Sequence, residues 1–89
     1  MINSPELQNK IDIIYNAYGH DTQIIKLLEE LAEVIREIAR DDPERMVQEM
    51  ADVYVVMTGI LQNTPWMKEI FDEEIEFKVN RQLDRIKNA

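Results

Sequence analysis

The chain contains no cysteine. This excludes a disulfide framework and a thiolate zinc site, and it fits a reducing compartment such as the cytoplasm. Two glycines and three prolines in 89 residues are too few for a turn-rich all-β fold. A single histidine, His20, leaves no serine–histidine nucleophile arrangement, and beside Gly19 it reads as a loop residue. Long apolar runs are also missing. The longest stretch, Met50 to Leu61, contains Asp52 and is too short to span a bilayer. Met1 to Lys10 has neither an apolar core nor a cleavage pattern, so no secretory signal and no membrane anchor are expected. Positive charge is scarce as well. Ten Lys and Arg stand against eighteen Asp and Glu, giving a formal net charge of -8 and a pI near 4.5. Direct nucleic-acid binding is therefore not expected, because phosphates are neutralised by Lys and Arg. The same acidity leaves cation binding open.

What is present is a helical pattern. Hydrophobic residues make up 45%, enough for a globular core. All three prolines follow a capping residue, in Ser4-Pro5, Asp42-Pro43 and Thr64-Pro65. A capping side chain satisfies orphan amides and a proline at the first helical position has none to satisfy, so each pair marks a helix start. Gly19 reads as a C-cap, with Asp21 or Thr22 as the next N-cap. The sequence thus predicts four helices, over about 5–18, 22–40, 43–62 and 65–87, with links short enough for antiparallel packing. The fold class is all-α: an antiparallel four-helix bundle-like chain forming one domain over residues 1–89. So short a chain buries only about 60–65% of its unfolded surface, so completion by oligomerisation is expected, as a dimer or tetramer.

The second helix is amphipathic. Ile24, Ile25, Leu27, Leu28, Leu31, Val34, Ile35 and Ile38 share one arc, while Lys26, Glu29, Glu30, Glu33, Arg36, Glu37 and Arg40 fill the other. By itself this describes a surface helix with its apolar arc on the core. The third helix differs: from Met50 onward its apolar residues cover almost the whole circumference, which predicts burial on most sides. Glu49 and Asp52 lie on this enclosed helix, and carboxylates there are anomalous.

Glu30 and Glu33 are spaced i, i+3 on one helix, and Glu49 and Asp52 have the same spacing on the next. Such pairs share a face. In an antiparallel hairpin turning at Asp41 and Asp42, Glu33 comes level with Glu49 and Glu30 with Asp52. Four carboxylates in a partly dry cleft repel one another, and a cation relieves this. All-oxygen ligands select hard cations, Mg²⁺ or Mn²⁺. On the last helix Lys78, Arg81 and Arg85 form a basic stripe suited to phosphate. Read alone, the glutamates of the second helix describe a solvated face, and the basic stripe describes one paired with nearby acids.

Together these residues resemble a known family. Glu29-Glu30-x-x-Glu33 followed by Glu49-x-x-Asp52, set in Gln23–Glu33 and Glu49–Val53, is similar to the motif of the MazG-like nucleotide pyrophosphohydrolases, within the all-α NTP pyrophosphatase superfamily. Lys78-Val79-Asn80-Arg81 resembles the family's phosphate-contacting segment. The resemblance spans roughly residues 20–85. It implies a helical bundle assembled from at least two chains, and hydrolysis of a nucleoside triphosphate to a monophosphate and pyrophosphate. Carried over by position, it implies that Glu30, Glu33, Glu49 and Asp52 hold Mg²⁺, with Mn²⁺ as an alternative. Glu29 would act behind them or through a water, and Lys26, Lys78 and Arg81 would contact phosphates. Glu33 is the candidate acceptor of the water's proton, with Glu30 beside it. Trp66 is the aromatic singled out for base recognition. Housecleaning of the nucleotide pool is the expected role. Phosphoribosyl-ATP pyrophosphohydrolases and dUTPases are implied to share the metal cage, so the cage does not set the substrate. The reading from another class is a non-enzymatic dimerisation module with a solvated acidic face.

Overall fold

A computed structural model describes residues 3–89. Met1 and Ile2, the first two positions of the segment read above as carrying no signal, lie outside the described residues. Four helices account for the fold: α1 (Pro5–Tyr18), α2 (His20–Ala39), α3 (Pro43–Gln62) and α4 (Pro65–Lys87). The all-α class is therefore the one observed. The capping logic holds atom by atom at two starts. Ser4 Oγ accepts from the Leu7 amide at 3.3 Å, and Asp42 Oδ1 accepts from the Arg45 amide at 3.2 Å. Thr64 precedes Pro65 without a side-chain cap hydrogen bond.

One boundary differs from the sequence reading. Helix α2 begins at His20, not after Asp21 or Thr22, and Gly19 serves as C-cap of α1 and N-cap of α2 at once. Its φ of 87° lies in the left-handed region, where a side chain would be strained, and this one glycine makes the whole junction between the two helices. His20 is consequently helical rather than a loop residue. The Tyr15 hydroxyl and His20 Nδ1 are hydrogen-bonded at 2.6 Å across the junction. The α2–α3 turn is equally short. Asp41 takes a φ of 55°, which aspartate tolerates better than most residues.

The buried core is small. Tyr15, Val56 and Ile60 form it, with Leu27 and Met67 packed against them and Ile11 buried nearby. It lies under the C-terminal half of α3, where α1, α2 and α4 all touch that helix. The expectation that α3 is enclosed on most sides holds only there. In its N-terminal half Val47 and Met50 are exposed. Gly59 lets α1 approach closely: a Cβ there would meet Ile11 Cγ2 at 3.2 Å and Tyr15 Cβ at 3.5 Å. A polar clasp secures the same end. Asp12 Oδ1 accepts from Gln62 Nε2 at 2.9 Å and from Asn63 Nδ2 at 2.8 Å.

Helix α2 overturns the amphipathic reading. Its buried residues are Gln23, Glu30 and Glu37, while Ile24, Ile25, Leu28, Leu31, Ile35 and Ile38 are exposed. The inward stripe is Gln23, Leu27, Glu30, Val34 and Glu37, at helical spacing and shifted by one residue from the outward stripe Ile24, Leu28, Leu31, Ile35 and Ile38. The helix thus packs on α3 through its carboxylate-bearing side. Helix α4 touches α3 but neither α1 nor α2, and none of its residues is buried.

The close approach at Gly59 generates a stability prediction. Gly59→Leu should overpack the α1–α3 contact and cost about 1–3 kcal/mol. Chemical denaturation at fixed pH measures this, and a variant as stable as the parent would show that the two helices do not meet there.

Candidate metal centre

The α2–α3 hairpin brings the acids together. Leu27 packs with the core that holds Val56, and oxygens of Glu30, Glu49 and Asp52 converge to within 4.8 Å of one another. That order along the two helices is antiparallel, as the level argument requires. Glu30 is 4% exposed, Glu49 is partly buried and Asp52 is exposed, so the cluster runs from the seam to the surface. Glu33 is not one of the three converging groups. It hydrogen-bonds to Glu49 and lies 3.9 Å from Arg36, beside the cluster.

The electrostatics fit a cation. The Glu49 carboxyl is pushed up to about 7 from an ordinary 4.5. Its hydrogen bond with Glu33 contributes most, followed by burial and the charges of Glu33, Asp52 and Glu30. One oxygen of Glu30 and one of Glu49 are buried with no hydrogen-bond partner. A buried carboxylate oxygen left without a donor is costly unless something positive meets it. An all-oxygen donor set of this kind suits Mg²⁺ or Mn²⁺.

The basic residues divide. Lys26 Nζ lies 2.9 Å from Glu30 Oε1 and 3.8 Å from Glu29 Oε2, so it borders the cluster. Its pKa is raised, chiefly by the hydrogen bond to Glu30. Glu29 itself is largely exposed and meets Lys26 rather than the converging acids. Lys78 and Arg81 stand on α4, which has no contact with α2. Lys78 reaches Glu74 at 4.0 Å on its own helix. The Arg81 guanidinium sits 5.9 Å from the Phe77 ring centroid, and its Nε is buried without an acceptor. Trp66 is 66% exposed. A cavity of about 580 Å³ lies elsewhere, between α1, α3 and α4, where Asp12, Tyr54, Lys68 and Phe71 are among its walls. None of the clustered acids lines it.

Sequence reasoning missed Glu37. The sequence places it in the polar arc of α2, yet it is 2% exposed, the most enclosed side chain among the described residues. Glu37 Oε1 lies 3.6 Å from Arg36 Nε and 3.7 Å from Arg40, and Oε2 has no partner. The available signal was its seven-residue spacing from Glu30, itself seven from Gln23, which places all three on one line of the helix.

The sequence model of the MazG nucleotide pyrophosphohydrolase domain matches residues 18–86. The chain belongs to this family. Comparison with curated proteins and with solved structures gave no match. The matched span begins at the end of α1 and covers α2, α3 and nearly all of α4, so the acid cluster lies wholly within it. Among the described residues, no helix is long and apolar enough to cross a membrane.

A pH-dependent prediction follows from Glu49. A carboxyl raised from 4.5 to about 7 in the fold stabilises the protein below the lower value and loses that contribution as pH rises through the upper one. The melting temperature in EDTA should therefore fall from pH 5 to pH 8. Millimolar Mg²⁺ or Mn²⁺ should oppose the fall, because ligands bind deprotonated and only the native state holds the site. The gap between the two melting curves should widen with pH. Parallel curves would show that these acids hold no cation.

Proposed function

We propose that this MazG-family chain is a Mg²⁺-dependent nucleoside triphosphate pyrophosphohydrolase. It would convert an NTP or dNTP to the monophosphate and pyrophosphate, as a housecleaning enzyme of the nucleotide pool. The observation that carries the reading is the convergence of Glu30, Glu49 and Asp52, with buried oxygens that lack donors, inside the span matched by the family. A cytoplasmic site of action, where nucleoside triphosphates are abundant, and assembly as a homo-oligomer belong to the same proposal.

In this reading Glu30, Glu49 and Asp52 hold the cation, and Glu33 completes the set through its bond to Glu49. When bound, the ion supplies positive charge for the phosphate oxygens and acidifies a water. The protein's own groups do the rest. Glu33 is 40% exposed at its side chain and hydrogen-bonded to a carboxyl whose proton affinity is raised towards neutrality. The Glu33–Glu49 pair is therefore suited to take up a proton near pH 7. Lys26 is held by Glu30 at the cluster's edge, where an ammonium can meet a phosphate oxygen. Partial burial strengthens each of these interactions relative to water. Trp66, solvent-facing and outside the cavity walls, remains a proposed base contact on sequence grounds alone.

The test is pyrophosphate release across a panel of canonical and modified NTPs and dNTPs with Mg²⁺. At least one nucleotide should be turned over, and none in EDTA. Asp52→Asn and Glu33→Gln should each lower kcat by about 100-fold or more with the helical fold intact, since each removes a group bonded to the ion or to its ligand. Wild-type rates in either variant would remove that residue from the centre. No pyrophosphate from any nucleotide tested would overturn the proposal.

A further inference from the structure

Each buried glutamate of α2 holds a cation at the surface. Glu30 pairs with Lys26 and Glu37 with Arg36, and both cations are about half exposed while their carboxylates are buried. Lys26 has a place in the function proposed above; the Glu37–Arg36 pair has none. Yet burying Glu37 is costly. One of its oxygens meets Arg36 at 3.6 Å and Arg40 at 3.7 Å, and the other is buried with no partner. A buried ion pair contributes little to stability, because desolvation offsets the attraction. What Glu37 does supply is a fixed position for the side chain it holds.

Arg36 spans two carboxylates. Its Nε lies 3.6 Å from Glu37 Oε1 and its Nη2 3.9 Å from Glu33 Oε1. Both are ion-pair distances, too long for hydrogen bonds. The guanidinium makes no hydrogen bond among the described residues, so its donors stay available at a half-exposed surface. Glu33 is in turn bonded to Glu49, an oxygen of which converges with those of Glu30 and Asp52. Arg36 is therefore one carboxylate away from the acid centre. Lys26 and Arg36 lie ten residues apart on α2, about 15 Å along its axis, with Glu30 and Glu33 between them. Arg40 does not share this place. Its guanidinium pairs with Glu37 alone among the described residues, and it stands seven residues past Glu33, about 10 Å along the axis, at the turn.

We propose that Arg36 is a phosphate-binding residue of this centre and that Glu37 is the positioning residue that aims it. The planar guanidinium offers paired donors to the oxygens of the pyrophosphate moiety. An arginine three residues from a glutamate on a helix can close on it and neutralise it. Glu37 draws Nε the other way, which holds Arg36 at 3.9 Å from Glu33 and keeps both free for a ligand. The identity of the ligand rests on the function proposed above, and the experiment separates the two.

Binding of inorganic pyrophosphate in the presence of Mg²⁺ is measured by calorimetry on the full chain, beside turnover of the nucleotide panel. Arg36→Ala should weaken pyrophosphate binding about tenfold, the loss of one charge-assisted contact. Glu37→Met, which fills similar space without charge, should weaken it to a similar degree while melting at the wild-type temperature or higher. Adding Glu37→Met to Arg36→Ala should weaken binding no further, because Glu37 acts only through Arg36. Arg40→Ala should bind as the wild type does. Wild-type binding in Arg36→Ala or in Glu37→Met overturns the inference, and so do additive losses in the double variant or an equal loss in Arg40→Ala, which would mark a general effect of charge. If Glu37→Met fails to fold, Glu37→Gln takes its place; failure of both assigns Glu37 to the fold alone and overturns its positioning role. A wild type that binds pyrophosphate but hydrolyses no nucleotide removes the proposed reaction, and the same variants still decide the inference by binding. An active wild type whose variants bind unchanged leaves the reaction standing and the inference overturned. No pyrophosphate binding by the wild type overturns the inference whatever the turnover.

Discussion

The structure depends on one unfavourable juxtaposition: carboxylates on α2 and α3 held face to face along the seam between the helices. Like charges in such a place resist assembly, and the chain answers in part by sharing a proton. Glu49 holds its hydrogen up to about pH 7 because Glu33 accepts it and because burial disfavours a second charge. The seam survives without a cation at the cost of holding one carboxyl in a form ill suited to binding metal. A divalent ion bound there would compete for the position of that proton. Such an exchange would link stability, pH and metal at a single carboxyl group, and the shared proton by itself lessens the repulsion of the buried acids.

Turning α2 so that Glu30 and Glu37 face inward has a second consequence. A helix with two unlike stripes about 100° apart cannot bury both against one neighbour. With the acidic stripe given to α3, the apolar stripe from Ile24 to Ile38 is left outside. The exposed residues of α2 and the isolation of α4 are thus not separate oddities. Both follow from spending the inner surface of a short chain on polar groups, which leaves a core of a few residues under the end of α3. Small domains bury a limited fraction of their surface in any case, and this one gives up part of that fraction to a site.

Much of the architecture was legible beforehand. Ser4-Pro5, Asp42-Pro43 and Thr64-Pro65 announce three helix starts through local chemistry, and local chemistry survives folding. The level pairing of Glu30 with Asp52 and of Glu33 with Glu49 needed only helix geometry and a short turn. The rest was hidden for identifiable reasons. Gly19 serves two helices, and nothing in composition distinguishes a shared cap from a cap followed by a short loop. The Tyr15–His20 bond that supports this junction is tertiary. The orientation of α2 was misread because a helical wheel shows which residues avoid water but not which surface removes them from it. Glu37 was missed for the same reason. Lys78 and Arg81 fall on one stripe by their spacing, yet a stripe has no address until the helix carrying it is placed.

Acids and bases packed together in one chain neutralise each other, as Lys26 and Glu30 do at 2.9 Å. The cations of the stripe stand on α4, which has no contact with α2, so they do not do the same for Glu49 and Asp52. The repulsion along the α2–α3 seam is thus relieved by one lysine at its edge and by the raised proton affinity of Glu49, and what remains is the part that a bound cation would relieve.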